Sequence, residues 1–67
     1  MRRFELSNEE HNKFWECRVE GTDFIVQYGR IGTDGQSNTK SFDAVEDAEA
    51  QMAKKIAEKT REGYTEV

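Results

Sequence analysis

Phe24-Ile25-Val26-Gln27-Tyr28-Gly29-Arg30-Ile31-Gly32-Thr33-Asp34-Gly35-Gln36 begins with an apolar run and then places three glycines within seven residues. Glycine weakens a strand interior, so such a cluster marks a bulge, a bend or the close approach of other backbone. Residues 23–31 read as a strand with apolar side chains on both sides. Phe24, Val26 and Tyr28 share one side; Ile25, Gln27, Gly29 and Ile31 share the other. Two readings stay open: a central strand covered on both faces, or a bulge near Gly29 that resets the register. Asp34-Gly35 is turn chemistry, and residues 36–42 follow as a fourth strand ending in Phe42.

Upstream, residues 12–20 alternate with period two, the mark of a half-buried strand. Trp15, Cys17 and Val19 face one way, and Glu16, Arg18 and Glu20 the other. Phe14 breaks the alternation by sitting on the polar side. Gly21-Thr22 turns this strand into the next as a hairpin. Residues 2–6 form a first short strand, with Phe4 and Leu6 on one face, and residues 7–11 are a polar connection.

From Asp43 the period changes. Val45, Ala48, Met52 and Ile56 recur at three- and four-residue spacing, giving an amphipathic helix of about nineteen residues. Asp43 is an N-cap candidate, and Glu46 three residues on completes a capping box. Acidic residues fill the first turns, and Lys54, Lys55, Lys59 and Arg61 gather toward the end, complementing the helix dipole. Gly63 is placed to end the helix with Tyr64 folding back; residues 64–67 are a candidate short terminal strand. The expected fold is α+β: a four-stranded antiparallel β-meander with one long C-terminal helix on one face. The helix stripe packs on Phe4, Leu6, Trp15, Cys17 and Val19.

Sixty-seven residues make a single domain, residues 1–67, with a modest core. The net charge is −4, opposite to the basic footprint of a non-specific nucleic-acid binder, although net charge does not fix its distribution. Residues 1–42 carry six Lys/Arg against seven Asp/Glu, and residues 43–67 four against seven, so neither half is basic. Cys17 is the one cysteine; it forms no internal disulfide and fits a reducing, cytoplasmic compartment. The charged residues after Met1-Arg2-Arg3 exclude a secretory signal, and no apolar run spans a bilayer.

His11 has no second histidine to share a zinc ion with, and Cys17, facing inward beside Val19, has no base placed to activate it. No metal or cofactor is expected. Gly32-Thr33-Asp34-Gly35-Gln36 lacks the Gly-Lys-Ser/Thr of a phosphate loop and is followed by a strand, which excludes a nucleotide-triphosphate site. Tyr28 and Arg30 offer a stacking face and a guanidinium fork, or else Tyr28 packs in the sheet and Arg30 pairs with Glu16 or Asp34. If Tyr28 points away from the helix, then Phe14 and Arg18 share an uncovered face with it, either as a binding surface or as a shallow second apolar layer. Asn12, Lys13 and Lys40 lie near strand ends, either binding phosphate or simply solvated.

The chain resembles the WGR domain family, named for a Trp-Gly-Arg triplet, with Tyr28 where Trp often stands in Tyr28-Gly29-Arg30-Ile31-Gly32-Thr33. Asn12-Lys13-Phe14-Trp15 upstream, Lys40-Ser41-Phe42 downstream and the helix end Glu58-Lys59-Thr60-Arg61-Glu62-Gly63-Tyr64 continue the pattern, so the resemblance covers nearly all of the chain. It implies a small antiparallel sheet with one long helix. In the DNA-damage-responsive poly(ADP-ribose) polymerases the domain touches the end of a broken strand, with its aromatic and arginine at DNA or neighbouring-domain contacts. That implies roles for Tyr28 and Arg30, and phosphate contacts at Asn12, Lys13 and Lys40. It does not imply ADP-ribosyl transfer, which belongs to another domain. Compact bacterial relatives include parts of proteins described as molybdate metabolism regulators, but no oxyanion-binding constellation is visible here. The expectation is a monomeric, non-enzymatic recognition module that binds nucleic acid at DNA strand ends, or alternatively docks a protein partner or adjacent domain.

Overall fold

The computed structural model describes all residues, 1–67. Five strands and one helix follow in the order β1 (Arg2–Ser7), β2 (Asn12–Glu20), β3 (Asp23–Arg30), β4 (Gln36–Ser41), α1 (Val45–Glu62) and β5 (Thr65–Glu66). The sheet is antiparallel in the spatial order β4-β3-β2-β1-β5. The four-stranded expectation is therefore one strand short: the terminal residues join the sheet, pairing Phe4 with Glu66 and Glu5 with Thr65. Arg2 fastens that edge, donating from Nε and Nη2 to the two carboxylate oxygens of Glu66, both at 2.8 Å. These bonds hold Glu66 below the usual carboxylate range.

The register decides the faces. β2 and β3 pair without interruption from Lys13↔Arg30 to Glu20↔Asp23, so β3 is a central strand and Gly29 makes no bulge. Directly paired residues share a face. Trp15↔Tyr28, Cys17↔Val26 and Val19↔Phe24 therefore lie on one side, together with Gln36, Asn38 and Lys40 of β4. This is the side under the helix. Phe4, Trp15, Cys17, Phe24 and Tyr64 are buried there, with Leu6, Val19, Val26, Phe42, Met52 and Ile56 packed around them. Burial pushes the Cys17 thiol above its ordinary value.

The helix departs from expectation at its start. Ala44, in an extended conformation (φ −139°, ψ 152°), occupies the N-cap, and no side chain caps the first turn. The proposed capping box of Asp43 and Glu46 does not form, because Asp43 lies one residue too early. Val45, assigned to the apolar stripe, is exposed by 40%, while Ala48 is fully buried. The other end is as read. Gly63 takes a left-handed φ of 111°, with its N–H on the Thr60 carbonyl and the Tyr64 N–H on that of Lys59.

Candidate functional site

One helix is about 10–12 Å across with its side chains, whereas five strands spaced about 4.8 Å apart span nearly twice that. The helix-bearing face of the sheet is therefore only partly covered. Next to the helix opens a groove of about 610 Å³. Its sheet side is formed by Lys13, Trp15, Phe24, Val26, Tyr28, Arg30, Asn38 and Lys40; its helix side by Gln51, Lys55 and Lys59; and its end by Glu10 and His11.

The groove holds five of the ten Lys/Arg residues but one of the fourteen Asp/Glu, Glu10. Five cations against thirteen carboxylates remain elsewhere, so an acidic chain concentrates its positive charge in one place. Three of these cations, Lys13, Arg30 and Lys40, come within ion-pair distance of no carboxylate. Lys55 lies 3.3 Å from Glu58 and Lys59 3.6 Å from Glu62, exposed neighbours on the same helix that weakly offset their charge. Lys59 also stands over the Tyr64 ring at 5.2 Å and the Trp15 ring at 6.0 Å.

The floor is apolar, but most of it is sealed: Trp15 and Phe24 are 5% exposed and Tyr64 8%. Tyr28 is the ring left accessible, at 40%, and its hydroxyl lies 3.3 Å from Gln36 Oε1 across the β3–β4 pair. Arg30, two residues on, points to the same face and is exposed. Neither Glu16 nor Asp34 holds it; Glu16 is taken by Arg3 at 2.6 Å.

The structure divides the residues singled out in the sequence. Tyr28, Arg30, Lys13 and Lys40 converge on the groove, with Asn12 at its end beside His11. Phe14 and Arg18 do not join them as an exposed surface. Phe14 borders the groove through its place in β2 between Lys13 and Trp15, but it pairs with Gly29 and is 2% exposed. The Arg3 guanidinium caps its ring at 4.5 Å. Arg18 lies beside Glu20 at 3.3 Å without the alignment of a hydrogen bond, leaving its buried Nε unpaired. On that face Phe14 is thus covered, while the Arg18 side chain stays 42% exposed. Period two decides this: Phe14 and Arg18 are out of phase with Trp15, and Tyr28 is in phase with it. Three groove residues were missed. Gln51, Lys55 and Lys59 recur at every fourth position, one step round the helix from Ala48, Met52 and Ile56. That row was legible, but a lysine-rich helix end is equally explained by the dipole.

The glycines of the quoted stretch support the groove from behind. A Cβ on Gly35, whose φ is +69°, would lie 2.1 Å from the Tyr28 carbonyl oxygen; one on Gly29 would lie 2.7 Å from the Gly35 Cα. The β3–β4 loop folds back against β3 at this point. Gln27 Nε2 donates to the Asp34 carbonyl, and Thr33 Oγ1 to that of Arg30 at 2.7 Å. Aromatic, glycine and arginine are thereby linked: the tight loop fixes the backbone from which Tyr28 and Arg30 project. No group of three His, Cys, Asp or Glu residues is placed to hold a metal ion.

The WGR domain model matches residues 1–67, the whole chain. The chain belongs to the WGR domain family. The WGR domain is a non-catalytic module of nucleic-acid-binding type. The chain is 40% identical over 65 residues to the uncharacterized protein YfeS of Escherichia coli K12, covering 97% of this chain and 27% of that protein. It is 42% identical over 67 residues to protein YehF of the same organism, covering 98% and 24%. A crystal structure of a Bacteroides fragilis protein superposes with a TM-score of 0.97 at 47% identity, over 98% of this chain and 19% of that one. This WGR domain thus spans about a quarter of the length of the curated relatives it matches. No helix is long and apolar enough to cross a membrane.

Proposed function

We propose that this WGR domain is a non-enzymatic recognition module that binds nucleic acid, at strand ends, through the groove lined by Tyr28, Arg30, Lys13 and Lys40. One observation carries the reading: in a chain of net charge −4, five cations and a single carboxylate line one groove. Unpaired Lys and Arg side chains release counterions from phosphates, the main source of affinity for nucleic acids. Arg30 adds a planar fork suited to a phosphate, and Tyr28 a ring for a base or sugar. The surrounding acidity repels the rest of a polyanion, so the contact is short and its affinity micromolar or weaker at physiological salt.

The test is a titration of labelled duplexes with 5′-phosphorylated ends, nicked duplexes and closed circles at about 50 and 150 mM salt. Ends should bind, and more weakly at the higher salt. Equal binding of closed circles would overturn the preference for ends, and no binding at the lower salt would overturn the reading altogether. A second reading is docking of an acidic segment from an adjoining domain into the same groove. It is favoured by the quarter share of the relatives' length that this domain spans, and it predicts that an acidic peptide from such a segment outcompetes DNA.

A further inference from the structure

Resting on the nucleic-acid reading, we infer that the groove prefers the unpaired nucleotides of a strand end to base-paired duplex, with one base seated on Tyr28. Three observations lead there. The first is size. A groove of about 610 Å³ falls in the size range of small-molecule sites and matches one or two nucleotides better than a stack of base pairs.

The second is the position of the apolar surface. Along its length a duplex presents phosphates outward and hides its base faces, exposing one only at its terminal pair, so it is met by cations on a convex or flat surface. Here the cations rim a recess whose floor contains Val26 and the exposed ring of Tyr28. Inside the recess, a strand whose bases are free can place a π-face against that ring and its phosphates on the rim. Since Trp15, Phe24 and Tyr64 are sealed beneath, there is one stacking platform, and one base is seated.

The third is the layout of charge. Lys13 and Arg30 are a direct cross-strand pair at one end of the β2–β3 ladder, and Lys40 is paired with Phe24, six residues back along β3. At about 3.4 Å per residue that separation is roughly 20 Å, with Tyr28 between them. Lys55 and Lys59, one turn apart, flank the other side. A single strand laid between these rows meets cations before and after the seated base. Asn38 and Gln51 stand within the groove as amide donors and acceptors for the edge of that base. A carboxylate-rich peptide would satisfy the rim but leave Tyr28 unused, which is why the nucleotide is the occupant inferred.

The experiment uses fluorescence anisotropy with this chain and four labelled probes of one sequence: a single strand of about a dozen nucleotides, the same strand with an abasic central position, the blunt duplex, and the duplex with a short single-stranded overhang. Single strand and overhang should bind about ten-fold more tightly than the blunt duplex. Tyr28→Ala, with its fold checked by circular dichroism, should lose about ten-fold for the single strand, and Tyr28→Trp should retain binding. Blunt duplex binding as tightly as the single strand, or indifference to Tyr28→Ala, overturns this inference while leaving the nucleic-acid reading standing. Failure of all four probes to bind at about 50 mM salt, with an acidic polypeptide binding instead, overturns both.

Discussion

The two faces of the sheet carry the same pair of side-chain types, an aromatic and an arginine, put to opposite uses. On the face away from the helix, Phe14 lies under Arg3, and Arg3 is pinned by Glu5 at 2.9 Å and Glu16 at 2.6 Å. The ring is covered and the charge neutralised. On the helix face, Tyr28 is accessible and Arg30 meets no carboxylate. An aromatic–arginine pair closes into a strut where acids surround it and stays open where they do not. Both arrangements depend on one piece of backbone, since Gly35 packs between the Phe14 ring and the Tyr28 carbonyl.

The largest effects should come from the closed face. Phe14→Ala empties a fully buried position and should cost about 3–5 kcal/mol. Tyr28→Ala, at a position that keeps 40% of its surface exposed, should cost about 1 kcal/mol or less. Urea unfolding of the two variants measures the contrast, and equal losses would break the comparison. Gly35→Ala comes next. It combines a left-handed φ with a contact that backbone cannot yield, and should cost about 2–4 kcal/mol. Because the loop positions Arg30, whatever folds should also bind nucleic acid poorly.

Period-two alternation in β2 and the change of period at Asp43 gave the strands, the helix and most of the core. The phase of Tyr28 relative to Trp15 was not legible, because β3 is apolar on both sides and its register depends on where the flanking turns close. Arg3 as the cover for Phe14 was invisible for a related reason. It comes from a third strand, and no local pattern states which charged side chain will lie over which ring. The basic groove within an acidic chain was equally hidden, since it gathers Lys13, Arg30, Lys40, Lys55 and Lys59 from four separate elements.

Smaller effects sharpen the contrast. Arg3→Ala should lower the melting temperature, because it uncovers Phe14 and leaves Glu5 and Glu16 facing each other. Arg30→Ala should change stability by no more than about 0.5 kcal/mol. A loss of about 3 kcal/mol at Arg30 would instead mean that it serves as a strut. The smallest effect concerns pH. Burial raises the Cys17 thiol above its ordinary value, Arg2 opposing the shift in part. A group raised in the folded state contributes stability that is complete below its unfolded value and is lost as pH climbs through the folded one. Stability should therefore decline above about pH 9, and thermal melts of Cys17→Ala across pH 7–10 should show a shallower decline, whatever the variant's level at pH 7.

The salt dependence of oligonucleotide binding tests the division of the two faces most directly. With a single-stranded probe, the logarithm of the affinity should fall linearly with the logarithm of salt concentration. Arg30→Ala and Lys40→Ala should each reduce that slope by about 1, and Arg3→Ala should leave it unchanged. A slope that responds to Arg3 and not to Arg30, or no binding at about 50 mM salt, would contradict the assignment of the open groove as the site.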